Sequence, residues 1–188
     1  MPAAKSTKER VVYQIKITLR ESKPPIWRRV QVSDNTTLHK LHWIVQAVMG
    51  WTNSHLHQFI IDGDYYSQPD FEIEDVLNEE TVRLKQVVSR PKFRFSYEYD
   101  FGDNWNHEIA IEKTLLADPQ VRYPVCLTGK RACPPDDVGG VWGYNSFLEA
   151  IKDPNHEEHD GMLTWIGGSF DPEEFDVEAV NRDLKRLR

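Results

Sequence analysis

The run Val11-Val12-Tyr13-Gln14-Ile15-Lys16-Ile17-Thr18-Leu19-Arg20 decides the fold class. Val11, Tyr13, Ile15, Ile17 and Leu19 alternate with Val12, Gln14, Lys16, Thr18 and Arg20, the period of two that marks a half-buried strand. Ser22-Lys23-Pro24-Pro25 turns the chain, because two prolines cannot continue a hydrogen-bonded ladder. Ile26 to Val32 then returns with Arg28, Val30 and Val32 on one face and Trp27, Arg29 and Gln31 on the other. An antiparallel hairpin is predicted.

Working outward, Thr36 or Thr37 caps a helix whose stripe is Leu38, Leu41, Val45, Val48 and Met49, and Gly50 stops it. Trp43, Ile44 and Ala47 widen that stripe, so the helix is predicted to be embraced by the sheet. His57 to Ile61 reads as a strand, residues 64–80 as acidic and irregular, and Val82 to Val88 as either a short helix or a strand. Phe93, Phe95, Tyr97 and Tyr99 form a second hairpin with Trp105, His107, Ile109 and Ile111 across the turn Asp100-Phe101-Gly102-Asp103-Asn104. Asp118 to Gly140 reads as a long loop punctuated by Pro119, Pro124, Pro134 and Pro135. Three helices close the chain: one through Tyr144, Phe147, Leu148 and Ile151, one over His156 to Trp165, and one capped by Asp176 that buries Val177, Val180, Leu184 and Leu187.

This order predicts an α+β fold: a mixed or antiparallel sheet wrapping one central helix, β-grasp-like in its ββαβ opening, with a further hairpin and C-terminal helices. Residues 1–10 are expected to be a flexible tail and residues 11–188 a single domain. Trp27, Trp51 and Trp105 are expected in the core, tying the hairpins to the first helix.

The 188 residues are 39% apolar and carry a formal net charge of −7. No apolar run is long enough for a membrane span, and Met1 to Arg10 lacks the apolar segment of a secretory signal. Two cysteines, Cys126 and Cys133, are too few for a disulfide scaffold, so a cytoplasmic protein is expected. The charge is uneven: residues 1–50 carry 9 basic and 3 acidic side chains, and residues 134–188 carry 5 and 13. Lys16, Arg20, Lys23, Arg28 and Arg29 are the candidates for a basic face, and Lys130 and Arg131, beside Gly129 and Gly139-Gly140, for an anion cradle. The competing reading is a solvated strand surface balanced by the acidic end of the chain. Arg28 and Arg29 point to opposite sides of their strand, which splits the basic set.

The chemistry-bearing residues cluster around the second hairpin. Asp100, Asp103 and His107 flank its turn, and turn chemistry alone accounts for Gly102, Asp103 and Asn104. His55 and His57 share a face if the third strand begins by Ser54, and carboxylates from a neighbouring strand would then complete a cation site. Asp136 and Asp137 join these as outer-shell or base candidates, giving a candidate cleft of His55, His57, Asp100, Asp103, His107, Asp136 and Asp137. Its metal-ligating candidates are His55, His57, Asp100, Asp103 and His107. No cofactor is expected; a divalent metal would suit this set, but no ligand spacing demands one. His156 and His159 are three apart rather than the four of a zinc-protease helix, and read as a solvated face.

Pro24-Pro25-Ile26-Trp27-Arg28-Arg29-Val30, Met49-Gly50-Trp51 through His55-Leu56-His57-Gln58-Phe59, and Tyr97-Glu98-Tyr99-Asp100-Phe101-Gly102-Asp103 through Trp105 and His107 together resemble one family. Arg131-Ala132-Cys133-Pro134-Pro135-Asp136-Asp137-Val138-Gly139-Gly140 and Phe170-Asp171-Pro172 through Phe175-Asp176 extend the match. The chain resembles the plasmid pRiA4b ORF-3-like family, whose members are often labelled transposon-passenger resolvase-like proteins. The resemblance runs from about Val11 to Leu187 and implies an α+β domain with no established activity and no agreed catalytic residues. A recombinase would need a nucleophilic Ser beside clustered arginines and a DNA-reading helix; the sequence offers no convincing recognition helix, and its C-terminal third is strongly acidic.

Two functions follow from different classes. The first is a non-enzymatic binding or regulatory module associated with mobile elements, docking a protein partner on the 118–140 segment and exposed aromatics. The alternative is a metal-assisted hydrolase acting on a phosphorylated or nucleic-acid substrate. With the net charge opposing approach, duplex DNA binding is expected to be weak and salt-sensitive, no tighter than about 10⁻⁴–10⁻⁶ M at physiological salt. An electrophoretic titration at two salt concentrations checks this; sequence-selective binding that survives raised salt would refute it.

Overall fold

The structure is a computed structural model that describes residues 9–69 and 75–187. Residues 1–8, most of the expected N-terminal tail, and residues 70–74 of the acidic stretch lie outside the described residues. The opening strands β1 (Val11–Leu19) and β2 (Trp27–Ser33) pair antiparallel, with Ile15 opposite Val30 and Ile17 opposite Arg28. Helix α1 (Leu38–Met49) is capped by Thr37, whose hydroxyl accepts the Lys40 N–H at 3.1 Å. It ends at Gly50, whose φ of 102° a side chain would resist.

Strands β3 (His57–Ile61), β4 (Asp64–Ser67) and β5 (Leu77–Asn78) follow, then the one-turn helix α2 (Leu84–Val87). The second hairpin is β6 (Arg94–Tyr99) and β7 (Trp105–Leu116), followed by β8 (Val125–Lys130). Helices α3 (Gly140–Lys152), α4 (His159–Ile166) and α5 (Val177–Arg186) complete the chain. The described strands form one sheet in the order β5-β4-β3-β6-β7-β1-β2-β8. Among them β4 and β5 pair parallel and the other neighbours antiparallel, so the fold is α+β with a mixed sheet.

The sheet buries Ile15, Ile17, Val30, Phe59, Tyr97 and Ile109 against Leu41, Ile44, Val45 and Val48 of α1. Long β7 joins the halves by pairing with β6 on one side and β1 on the other. In consequence β3 is separated from β1 by two strands, and the ββαβ opening does not close on itself. Helix α5 packs on α1 and β8. There the Asn181 amide accepts the Cys126 N–H and donates to the Cys126 carbonyl, both at 2.8 Å.

Three expectations change. The segment 118–140 contains β8, which pairs with β2; its run is short and flanked by prolines, so only the partner strand reveals it. The stretch 64–80 contains β4 and β5. Trp27 is half-buried on the outer face, with Lys16 Nζ 4.9 Å and the Arg29 guanidinium 5.1 Å from its ring; Trp51 and Trp105 are buried, 5.3 Å apart.

The interior also holds a polar network. Glu79, fully buried, accepts from His57 Nε2 at 2.9 Å and lies 3.0 Å from His39 Nδ1. His42 stacks on His57 with ring centroids 3.5 Å apart. Around His42 the bonds close a ring. The Gln46 amide donates to the Tyr97 hydroxyl, which donates to His42 Nδ1; His42 Nε2–H donates to Asn53 Oδ1, and the Asn53 N–H donates to Gln46 Oε1. That ring needs a neutral His42. Burial, reinforced by neighbouring His57, pushes its pKa from 6.5 down to about 2. Burial likewise brings His107, lying edge-on to Trp51, down to about 4.

Below pH 6.5 the unfolded chain takes up protons at these two imidazoles while the folded chain refuses them, so stability falls as pH falls through that window. The denaturation midpoint is expected to drop between pH 6.5 and 4. His107→Phe is expected to flatten the slope; an equal slope in the variant would remove His107 from the account.

Candidate functional site

Three loops meet at one end of the sheet. The first, 50–56, leaves α1; the second is the β6–β7 turn at 100–104; the third, 131–139, joins β8 to α3. Backbone bonds lock them together. The Asp100 N–H donates to the Leu56 carbonyl at 2.8 Å, and the Gly139 N–H donates to Asp103 Oδ2 at 3.0 Å. Thr52 donates to Asp136 Oδ2 at 2.9 Å and contacts Ser54 Oγ at 2.6 Å, while the Ser54 N–H donates to the Tyr99 hydroxyl at 3.0 Å. Asn53, Asp100, Asn104, Arg131 and Asp137 all have positive φ, a costly backbone state that gathers at functional sites.

Within this junction His55 Nε2 lies 3.1 Å from Asp137 Oδ1 and 3.5 Å from Asp100 Oδ2. One ligand atom from each of the three residues falls within 4.8 Å of the others. Two ligands each about 2.1 Å from a cation stand about 3.0–3.4 Å apart at octahedral to tetrahedral angles, so the His55 distances suit a shared ion. The other Asp100 oxygen, Oδ1, accepts the Gly102 N–H at 2.9 Å, which orients the carboxylate. One imidazole and two carboxylates favour a borderline cation such as Zn²⁺ or Mn²⁺ over Ca²⁺. Burial, with Asp136 close by, pushes the Tyr99 phenol up to about 12, so it stays protonated as a donor toward the site.

The expected cleft residues thus separate. His55, Asp100 and Asp137 come together, with Asp136 alongside them. Asp103 is spent on the Gly139 N–H. His57 is turned inward onto Glu79, because β3 begins at His57 and strand alternation does not reach back to His55. His107 is interior, among Trp51, Tyr97 and Trp105.

The basic residues do not assemble either. Arg20 is exposed in the β1–β2 turn, and Arg29 makes paired bonds to Glu112 at 2.6 and 2.9 Å. Arg28 is 2% exposed and donates to the carbonyls of Val48, Trp27 and Lys130 at 2.7, 2.9 and 2.9 Å, with Phe175 stacked 4.3 Å away. It shares the inward face of β2 with Val30 and Val32, so it cannot reach a phosphate. Lys130 is exposed, whereas Arg131 is buried and paired with Glu173 at 3.1 Å. Sequence reasoning missed Thr52, Ser54 and Tyr99 around the site, and Glu79, His39 and His42 beneath it. The polar run Thr52-Asn53-Ser54 directly after Gly50-Trp51 was the available signal.

The model of the plasmid pRiA4b ORF-3-like protein family matches residues 11–179. The chain belongs to this family. It is 41% identical over 172 residues to the uncharacterized protein y4hQ of Sinorhizobium fredii, covering 90% of this chain and 86% of that one. A crystal structure of the protein of unknown function MM3350 from Methanosarcina mazei Go1 superposes with a TM-score of 0.82 at 38% identity, covering 92% of this chain and 97% of that chain. The family's fold thus spans nearly the whole chain, including the three loops of the junction.

The loops meet closely at Gly140, whose φ is 68° and whose added Cβ would lie 2.5 Å from the Asp103 carbonyl oxygen. Gly140→Ala is therefore expected to cost more than about 1 kcal/mol. Chemical denaturation reads this directly, and an unchanged midpoint would show that the contact yields freely.

Proposed function

We propose that this protein binds a divalent cation through His55, Asp100 and Asp137 and uses it to polarise a substrate for hydrolysis. The convergence of those three side chains carries the reading. Three protein ligands leave coordination positions open for water and substrate, as catalytic sites require. The open side is accessible: His55 and Asp100 line one cleft of about 540 Å³, and Asp137 lines a second of about 490 Å³. Among the described residues neither lining contributes a Lys or Arg, which favours an uncharged carbonyl substrate over a phosphorylated or nucleic-acid one.

A second reading, a non-enzymatic binding module, draws support from Trp142, which is 85% exposed beside a groove lined also by Pro24, Arg131 and Pro172. The plasmid-borne namesake of the family supports an association with mobile elements. Among the described residues no helix is long and apolar enough to cross a membrane, and the free thiols of Cys126 and Cys133 support a cytoplasmic setting.

Calorimetric titration with Zn²⁺ and Mn²⁺ tests the cation site. His55→Ala and Asp137→Asn, both at solvent-accessible positions, are expected to weaken binding roughly tenfold or more. Metal-dependent hydrolysis of 4-nitrophenyl acetate, lost with EDTA and absent for 4-nitrophenyl phosphate, would support the catalytic step. Wild-type affinity no better than that of the variants would sink the site, and metal binding without turnover would favour the binding module.

A further inference from the structure

The cleft on the Asp137 side lies between α3 and α4 and has a composition of its own. Its volume, about 490 Å³, is in the range of small-molecule sites. Phe147 forms a fully buried floor, and Trp165 stands edge-on to it with ring centroids 5.8 Å apart while remaining 47% exposed. Met162 and Val138 add apolar wall. Helix α4 reads His159-Asp160-Gly161-Met162-Leu163-Thr164-Trp165-Ile166, half of it apolar, yet none of its residues is fully buried. Met162 and Ile166 pack partly on the core, while Met162 and Trp165 also line the cleft. A Cβ added to Gly161 would meet nothing within 4 Å, which keeps the cleft open from the α4 side.

The charges on this cleft have one sign. Asp137 and Glu158 line it, and among the described residues no Lys or Arg does. An anionic ligand would meet repulsion there, whereas a cationic group would find a carboxylate and an indole face together, the combination that holds organic ammonium ions. With Asp137 engaged by a metal ion, Glu158 is the carboxylate left for it.

We infer that this cleft binds a small ligand with a planar apolar body and a positively charged nitrogen. The ring lies against Trp165 and Phe147, and the nitrogen is held by Glu158 and the Trp165 face. The inference rests on the cation-site reading only for its chemistry: it makes the substrate class a carbonyl compound bearing such a group, with the carbonyl at the Asp137 end.

The experiment separates the two. In EDTA, with no metal present, the full chain is titrated with benzyltrimethylammonium, benzyl alcohol and benzoate, read by calorimetry and tryptophan fluorescence. Benzyltrimethylammonium is expected to bind about tenfold more tightly than either of the others. Gly161→Leu, which fills the space while removing a helix-weakening glycine, is expected to abolish binding, and Glu158→Gln to weaken it several-fold. Equal binding of benzyl alcohol would reduce the cleft to an apolar pocket. Preferred binding of benzoate, no binding at all, or indifference to both substitutions would overturn the inference. Because these titrations contain no metal, such a failure leaves the metal titration of His55 and Asp137 variants to decide the cation site by itself.

Discussion

A guanidinium that is buried and, among the described residues, has no carboxylate partner is the constraint on which the rest of this structure depends. Arg28 sits under the sheet, and burial lowers its pKa, opposed by the nearby thiols of Cys133 and Cys126. Taking such a charge out of water is costly unless its donors are satisfied. Here carbonyl oxygens do this: Val48 near the end of α1, Trp27 on its own strand and Lys130 at the end of β8, with the Phe175 ring completing the cage. Each anchor starts something. The loop bearing His55 leaves α1 just beyond Val48, and the loop bearing Asp137 leaves β8 just beyond Lys130. One side chain thus fixes the origins of two of the three loops that build the candidate site.

The remaining loop, the 100–104 turn, is approached from below through β6, the strand that leads into it. The ring of hydrogen bonds through Gln46, Tyr97, His42 and Asn53 joins α1 to β6 and ends on the residue two before His55. Buried networks of this kind rigidify when every member is satisfied. His57 and Glu79 continue the network to β5, so the acidic segment 77–80 is held to the same helix that carries the site. Around His42 the scaffold under the site is therefore polar but paired.

Much of this was legible in residue order. The alternation of Val11 to Leu19, the cap at Thr37, the stop at Gly50, the aromatic hairpin and the Asp176 cap each depend on local chemistry, and each stands where local chemistry puts it. Alternation even assigned Arg28 to the face of Val30 and Val32; only the habit of reading arginine as solvent-facing argued otherwise. Strand β8 was illegible because its register comes from β2 rather than from its own pattern. Of the candidate cleft, Asp100 could be read from its turn, but its meeting with His55 and Asp137 is made by loops distant in sequence. His57 and His107 failed as surface ligands because strand periodicity turns them inward, where aromatic neighbours and Glu79 outbid water.

The contact between Asn181 and β8 bears on behaviour in a crowded solution. A sheet ends in a strand whose outward N–H and C=O groups invite another chain to pair, the common route to edge-to-edge aggregation. At Cys126 those two groups are already taken by a side-chain amide that imitates a neighbouring strand for one residue and then stops. The helix presenting that amide covers the edge behind it. At that position the edge strand has no outward backbone group left to offer a second copy, and a single asparagine suffices to achieve it.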